Sequence, residues 1–308
     1  MERTPVTTLT DLVELVPSLL GFHAHDSIVL LAIQDDEVVL TARTDLVEHP
    51  AEGLAAAWRR LPGAELVVIA FSRDASLAWV ALDDVDFALP DGTERILLHA
   101  DGEYWYEAPR DLGVPYDAVA SVHLVEAAWA GRPVRASRDE LYALVEPQRT
   151  PAEVTASLER VASREATLSD VVGEARALVE AFDAAPGLLD IDDATVLCLA
   201  SHDAFFLDEA LMGTNRDNAR SRLALWLQVV GASVPNCAGG ALVAAALAAW
   251  LAGDGAMLTV CLETVVARPA PGVWVDLLDA VHRDAVPPQE WERVRAALDD
   301  AWVSTMPT

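Results

Sequence analysis

The chain has 308 residues, 53% of them hydrophobic, which is enough for two domains of ordinary size with real cores. Its 49 acidic residues against 21 basic ones give a formal net charge of −28, which opposes non-specific binding to a phosphate backbone or an anionic membrane surface. All 21 basic residues are arginine, so phosphate-loop NTPases, protein kinases and Schiff-base or pyridoxal-phosphate enzymes, each of which needs a lysine amine, are excluded.

In chain order, a first helix stops at Gly21. The runs SIVLLAI (27–33) and EVVLTARTDL (37–46) are predicted strands, joined as a hairpin across Gln34-Asp35-Asp36. PAEGLAAAWRRL (50–61) places Leu54, Ala57, Trp58 and Leu61 at i, i+3, i+4 and i+7 and is predicted helical. ELVVIAFS (65–72) is a continuous apolar run, the pattern of a strand buried on both faces. An acidic helix over 74–89 follows, ended by Pro90-Asp91-Gly92. RILLHA (95–100) and YWYE (104–107) form a second predicted hairpin, with Asp101-Gly102 supplying the positive φ angles of a tight turn. These elements predict an α/β domain on a mixed five-stranded sheet.

From Tyr116 onward the patterns are helical, over 116–130, 138–145, 151–165, 168–182, 190–206, 217–230, 237–252, 255–267, 272–283 and 288–302. Pro151 and Pro288 stand where a helix would begin, and Gly253-Asp254-Gly255 suits a tight connection between antiparallel helices. The run CAGGALVAAALAAWLAG (237–253) is mostly Ala and Gly. It is shorter than the roughly 20 strongly apolar residues of a membrane span, so a buried core helix is predicted. The fold class expected is α+β, with an α/β sheet domain over 1–145 and an all-helical domain over 146–308.

Cys198, Cys237 and Cys261 form no C-x-x-C pair, which excludes a zinc ribbon or redox motif and predicts buried thiols in reducing surroundings. The opening residues carry no basic region followed by a long apolar run, so no secretory signal is expected and the location expected is cytoplasmic.

Candidate ligand residues gather in four places. In LGFHAHDSIV (20–29), His23 and His25 alternate, so an extended chain presents both to one side. Zinc sites ask for three or four protein ligands, and His49, His99, His123, His202 and His282 stand apart in sequence, so no metal is expected. The competing structural reading makes Gly21 a helix stop and Phe22 a core anchor, with Asp26-Ser27 satisfying free backbone groups before the strand. TARTDL (41–46) puts Arg43 and Asp45 on one strand face, as a solvated ion pair or an anion receptor. FSRDAS (71–76) carries Arg73 where a strand hands over to a helix, the edge at which open α/β sheets bind ligands. That turn has no glycine for close phosphate approach, and Ser72 or Asp74 is the expected N-cap. NRDNARSR (215–222) sets Arg216 and Asp217 before an apolar helical stripe. The candidate ligand-binding set is therefore His23, Asp26, Arg43, Asp45, Arg73, Arg216 and Asp217.

PSLLGFHAHDSIVLLAI and TARTDL resemble the opening of an actinobacterial family known only as a domain of unknown function. The likeness continues through GEYWYE, AGRPVRASRDEL and NRDNARSRLALW to AALAAWLAGDGAMLTVCLETVVARP and VPPQEW, nearly the whole chain. Gly21, Phe22, Asp26, Ser27, Arg43, Asp45, Arg216, Asp217, Gly253, Asp254 and Gly255 match the family pattern, which attaches no roles to them. After LGFH the pattern often has proline and an acid where this chain has Ala24-His25, so no family role attaches to His25.

No catalytic constellation is complete in the sequence: G-x-S-x-G, H-E-x-x-H and calcium-loop patterns are all missing. The function expected is that of a non-enzymatic binding module without cofactor, its partner a protein or a small anionic ligand, with no nucleic acid and no membrane involved. The alternative is a hydrolase or transferase that acts on a small anionic substrate through Asp, His and Arg side chains. Convergence of those side chains in one pocket separates the two.

Overall fold

The computed structural model describes residues 8–46, 50–129, 131–164 and 167–305. The chain divides into two compact units, residues 1–140 and 141–308.

The first unit contains α1 (Leu9–Leu20), β1 (Ser27–Gln34), β2 (Glu37–Asp45), α2 (Pro50–Arg60), β3 (Glu65–Phe71), α3 (Ala75–Ala88), β4 (Arg95–Ala100), β5 (Tyr104–Tyr106), β6 (Val114–Pro115) and α4 (Val122–Trp129). The sheet order is β2-β1-β3-β4-β5-β6. Only β3 and β4 run parallel among these neighbours; the other pairs are antiparallel. The β1–β2 hairpin turns on Asp35 and Asp36 at φ 53° and 60°, the left-handed pair that a two-residue turn needs to match strand twist. β1 and β3 are apolar at nearly every position because both of their faces are covered. Ile28, Leu30, Leu66 and Val68 share one core with Leu54 and Trp58 of α2 and Leu82 and Val85 of α3. Val29, Leu31, Val67 and Ile69 alternate to the opposite face and are as fully buried. α1 is tied to β5 by the Trp105 indole N–H, which donates to the Thr10 hydroxyl at 3.1 Å.

The sheet has six strands, not the five that the alternation pattern predicts. β6 pairs its Val114 with Trp105 and its Pro115 with Tyr104 at the sheet edge. Two residues are too few to show alternation, and proline lacks the ladder N–H, so the edge is the one place it fits and the sequence carries no strand signal. Gly113 permits the approach, since a Cβ there would lie 2.7 Å from the Tyr104 and Tyr106 side chains. The predicted helix over 116–130 shortens to α4 for a similar local reason. Asp117 accepts the Val119 and Ala120 amides at 2.9 and 2.8 Å, and this closes a turn where the helix was to begin.

α5 (Asp139–Leu144) crosses the boundary between the units. The second unit is helical throughout its described residues: α6 (Pro151–Ala162), α7 (Leu168–Ala184), α8 (Ile191–Ala200), α9 (Ala204–Met212), α10 (Ala219–Gly231), α11 (Gly239–Leu251), α12 (Gly255–Val265), α13 (Gly272–Arg283) and α14 (Trp291–Thr305). Short 3-10 turns at Pro235–Cys237 and Pro288–Glu290 precede α11 and α14. The predicted helix over 190–206 is two helices, because Asp203 accepts the Phe206 amide at 2.9 Å and starts α9 afresh. α11 is buried at every position and packs between α10 and α12, so its alanines let neighbouring backbones come close. Gly253 at φ +77° and Asp254, which accepts the Met257 amide at 2.9 Å, make the connection to α12. Three buried tryptophans around this core find acceptors: Trp250 donates to the Val286 carbonyl at 2.8 Å, Trp291 to Thr214 at 2.8 Å and Trp274 to Asp208 at 2.6 Å. Among the described residues, no helix is long and apolar enough to cross a membrane.

Close backbone approach at the start of α11 gives a prediction. A Cβ on Gly240 would strike the Ser201 carbonyl and side chain, whereas one on Gly173, inside α7, meets nothing within 4 Å. Gly240→Ala is expected to destabilise the protein by about 1–3 kcal/mol through overpacking. Gly173→Ala is expected to stabilise it by about 0.5–1 kcal/mol, both read by urea denaturation followed through tryptophan fluorescence.

Candidate functional site

Strand register places three chain segments at one sheet edge. Ser27 of β1 pairs antiparallel with Phe71 of β3, and Phe71 pairs parallel with Ala100 of β4. The start of β1 therefore lies beside the carboxyl ends of two parallel strands, the position at which open sheets hold ligands. A fourth segment joins through a single parallel bridge between Phe22 and Arg135. The His23 amide donates to the Arg135 carbonyl at 3.0 Å and the Arg135 amide to the Gly21 carbonyl at 2.9 Å. Between these segments opens a cleft of about 860 Å³. Val13 and Pro17 of α1, Phe71, Val119 and Val134 form its apolar wall, and its polar lining includes His23, His25, Asp26, Arg73, Asp101 and Tyr116.

Ser72, 5% exposed, organises the floor. Its hydroxyl donates to Asp26 Oδ1 at 2.7 Å and accepts the Asp74 amide at 3.1 Å. Its carbonyl accepts from His99 Nε2 at 2.8 Å, which fixes the proton on that ring nitrogen. Asp74 is the N-cap of α3 and accepts the Ser76 and Leu77 amides at 3.0 and 3.2 Å. Asp26 sits at φ +40°, an uncommon conformation for a residue with a side chain. It does not serve nearby backbone amides as the sequence suggests; it reaches across to Ser72 instead. The Ser27 hydroxyl is buried with no hydrogen-bond partner among the described residues.

The second carboxylate of the cleft is also engaged. Asp101 accepts the Tyr104 and Glu103 amides at 2.8 and 2.9 Å and the Tyr106 hydroxyl at 3.0 Å. Burial works to raise its pKa, but those hydrogen bonds and the neighbouring His99 outweigh it and hold the carboxyl below its ordinary value. Tyr106 in turn stacks on the His99 ring, with centroids 5.4 Å apart. Tyr116 is pushed up to about 12 by burial and by the nearby Asp101 charge, so it stands in the wall as a neutral phenol. His23 is half-buried, and burial, with His25 beside it, pushes it below the ordinary histidine value. His25 and Arg73 are exposed at the rim. The side chains of Arg73, His23 and His25 make no hydrogen bond or ion pair among the described residues.

Of the residues singled out in the sequence, His23, Asp26 and Arg73 thus meet in one cleft. Arg43 and Asp45 are not among its lining residues: they pair with each other at 2.6 Å, and the Arg43 guanidinium lies over the Phe22 ring at 5.8 Å. Arg216 and Asp217 belong to the second unit, where both are exposed in the turn before α10 and the Asp217 amide donates to Asn215 at 2.9 Å. His49 lies outside the described residues. Asp101 and Tyr116 join the cleft without having been singled out, since a turn aspartate and a lone tyrosine carry no pattern in sequence. Among the described residues, no group of three or more His, Cys, Asp or Glu side chains is placed to hold a metal ion.

A family model described as a domain of unknown function (DUF4192) matches residues 10–289. No curated protein and no solved structure matches the chain.

The contrast between the two polar pairs is testable. Ser72→Ala removes the partner of a carboxylate from a buried position and is expected to cost about 1.5–3 kcal/mol. Asp45→Ala breaks an ion pair whose carboxylate side chain is 55% exposed, and is expected to cost under about 1 kcal/mol. Chemical denaturation of both variants checks the ordering.

Proposed function

The chain belongs to the family described as a domain of unknown function, DUF4192, and we propose that it is a non-enzymatic, cytoplasmic binding module that holds a small anionic ligand in the cleft at the carboxyl ends of β3 and β4. One observation carries this reading. In a chain of net charge −28, Arg73, His23 and His25 line the cleft with no hydrogen bond or ion pair from their side chains among the described residues, while Asp101 accepts from three donors and Asp26 Oδ1 from Ser72. Arg73 presents a planar guanidinium that can grip a carboxylate or phosphate with two parallel hydrogen bonds. Asp26 and Ser72 hold the floor on which the ligand rests. The Arg43–Asp45 ion pair secures the second strand. Free thiols at Cys198, Cys237 and Cys261 accord with reducing surroundings, and the use of arginine in place of lysine with a GC-rich, actinobacterial source.

The catalytic alternative draws on the meeting of His23, Asp26 and Arg73 in one cleft. Against it stands the state of Ser72, the alcohol nearest a carboxylate. Its proton is given to Asp26, a lone pair is taken by the Asp74 amide, and it is 5% exposed. A nucleophile needs its oxygen facing the substrate and a base oriented by a third group.

Binding of 1-anilinonaphthalene-8-sulfonate, an apolar ring system with a fixed sulfonate charge, tests the proposal. Saturable fluorescence enhancement is expected, weakened about tenfold by Arg73→Ala, the loss that one charge-assisted hydrogen bond predicts. Arg59→Ala, at an exposed position of α2, is expected to leave binding unchanged. Binding indifferent to Arg73→Ala would sink the reading. So would metabolite turnover abolished by Asp26→Asn.

A further inference from the structure

We infer that the cleft takes up its anion together with a proton on His23, so that it selects organic anions with an apolar body and holds them more tightly as the pH falls below neutrality. This rests on the anion-binding reading of the same cleft and adds to it the ligand's class and its coupling to protons.

The apolar body follows from size and wall. A cleft of about 860 Å³ lies within the range, roughly 300–1,000 Å³, that encloses small organic ligands, and far exceeds what an inorganic anion fills. Val13, Pro17, Phe71 and Val134 offer that body an apolar surface.

The proton follows from how His23 is held. Its backbone is clamped to Arg135, and Phe22 beside it is 2% exposed, so the residue is fixed at the cleft wall. Among the described residues, the titratable and charged groups that face the cleft come from four segments. His25 and Asp26 come from the same segment, Arg73 from the start of α3, Asp101 from the β4–β5 turn, and Tyr116 from the segment after β6. Arg135 shares the bridge, and Glu14 of α1 acts on Tyr116. Tyr116 stays neutral, so the fixed charges that line the cleft are Arg73 and the carboxylates of Asp26 and Asp101, each of which already accepts hydrogen bonds. Burial of the imidazole at the wall, with His25 beside it, favours neutral His23 in the empty cleft.

A bound anion reverses that balance by placing a counter-charge between Arg73 and His23. The proton moves from solvent to the free ring nitrogen; no bond in the ligand is made or broken. The linkage is reciprocal: whatever factor the anion adds to proton affinity, the proton adds to anion affinity. With every other cation an arginine, charged across the whole accessible range, histidine is the basic group that can respond near neutrality. The sign is fixed. His23 is neutral in the free protein at neutral pH and protonated in the complex, so affinity rises as pH falls through the histidine range.

The test uses the full chain and 1-anilinonaphthalene-8-sulfonate, whose sulfonate stays ionised throughout. Between pH 8 and 5.5 its affinity is expected to rise about tenfold, the change that a shift of about one pKa unit on one group produces. Calorimetry near pH 6.5 in two buffers of different ionisation heat should show net proton uptake, up to about half a proton per site for a shift of about one pKa unit. His23→Gln should bind at pH 8 within about twofold of the parent, with its fold checked by circular dichroism, and lose both the pH response and the proton uptake. His25→Gln should keep most of each. Binding that is sensitive to Arg73→Ala but flat with pH, or a pH response that survives in His23→Gln, would overturn the proton coupling and leave the anion-binding reading standing. Binding indifferent to Arg73→Ala would overturn both.

Discussion

Every polar atom of Ser72 is committed, and each commitment fixes a different piece of the cleft. The amide donates to the Ala100 carbonyl at 3.0 Å, which carries the parallel β3–β4 pairing one residue past the strand ends. The carbonyl holds His99, the hydroxyl proton goes to Asp26, and the hydroxyl lone pair receives the Asp74 amide that opens α3. Because Ser72 is buried, loss of any of these bonds would strand a polar group away from water at a cost of about 1–3 kcal/mol. The bond to Asp26 also has to outweigh a positive φ, and the Leu46 amide helps by donating to the Asp26 carbonyl at 2.9 Å. Thus one side chain at the end of β3 sets the angle at which the 22–26 segment enters β1, and with it the place of His23.

Charge is distributed on a consistent plan. In the second unit arginines act as clamps on the chain's own carboxylates. Arg222 grips Asp183 through Nε and Nη2 at 2.6–3.0 Å with its side chain 8% exposed. Arg160 grips Asp192 in the same way, and together with the Ser157 hydroxyl draws that carboxyl down to about 2. Such forked pairing is something a guanidinium does and an ammonium does not, so a lysine-free chain gains geometric definition wherever it buries a charge. Arg73, like Arg59 and Arg216, has no carboxylate partner among the described residues, and it alone of these three lines the cleft. An arginine left over from internal pairing in a strongly acidic chain is available to a ligand.

Much of the fold was legible because periodicity survives where elements are long and sided. β1 and β3 showed as apolar runs, the Asp35-Asp36 turn as an acidic break, and α11 as an alanine-rich stretch too short to span a membrane. The sixth strand was not legible, since Val114–Pro115 holds its place by its partner strand and by the space Gly113 leaves. The break between α8 and α9 hid behind continuous apolar spacing, although Asp203 was a visible cap. At the cleft, His23, Asp26 and Arg73 stood out by residue type, but their meeting depends on Ser27 pairing with Phe71 and Phe71 with Ala100, contacts between distant parts of the chain. Arg43 and Asp45 looked equally promising in sequence. Strand alternation placed them correctly on one face, and there they found each other and the Phe22 ring.

The histidines show why residue type alone could not rank the candidates. His99 is 3% exposed, stacked on Tyr106, and spends its Nε2 proton on the Ser72 carbonyl. With that proton spent and the ring packed against Tyr106, His99 serves geometry. His123 is 4% exposed on α4, away from the cleft lining, and its Nε2 has no partner among the described residues. His23 differs in one respect: its ring borders an open cleft while its backbone is held to Arg135. Partial burial makes the charged state sensitive to what occupies the cleft, and the clamp keeps the residue at the cleft wall. A fully exposed histidine would protonate irrespective of the ligand, and a fully buried one would resist protonation with or without it. An imidazole at the wall, between those limits, is where occupancy and proton affinity depend on each other most strongly.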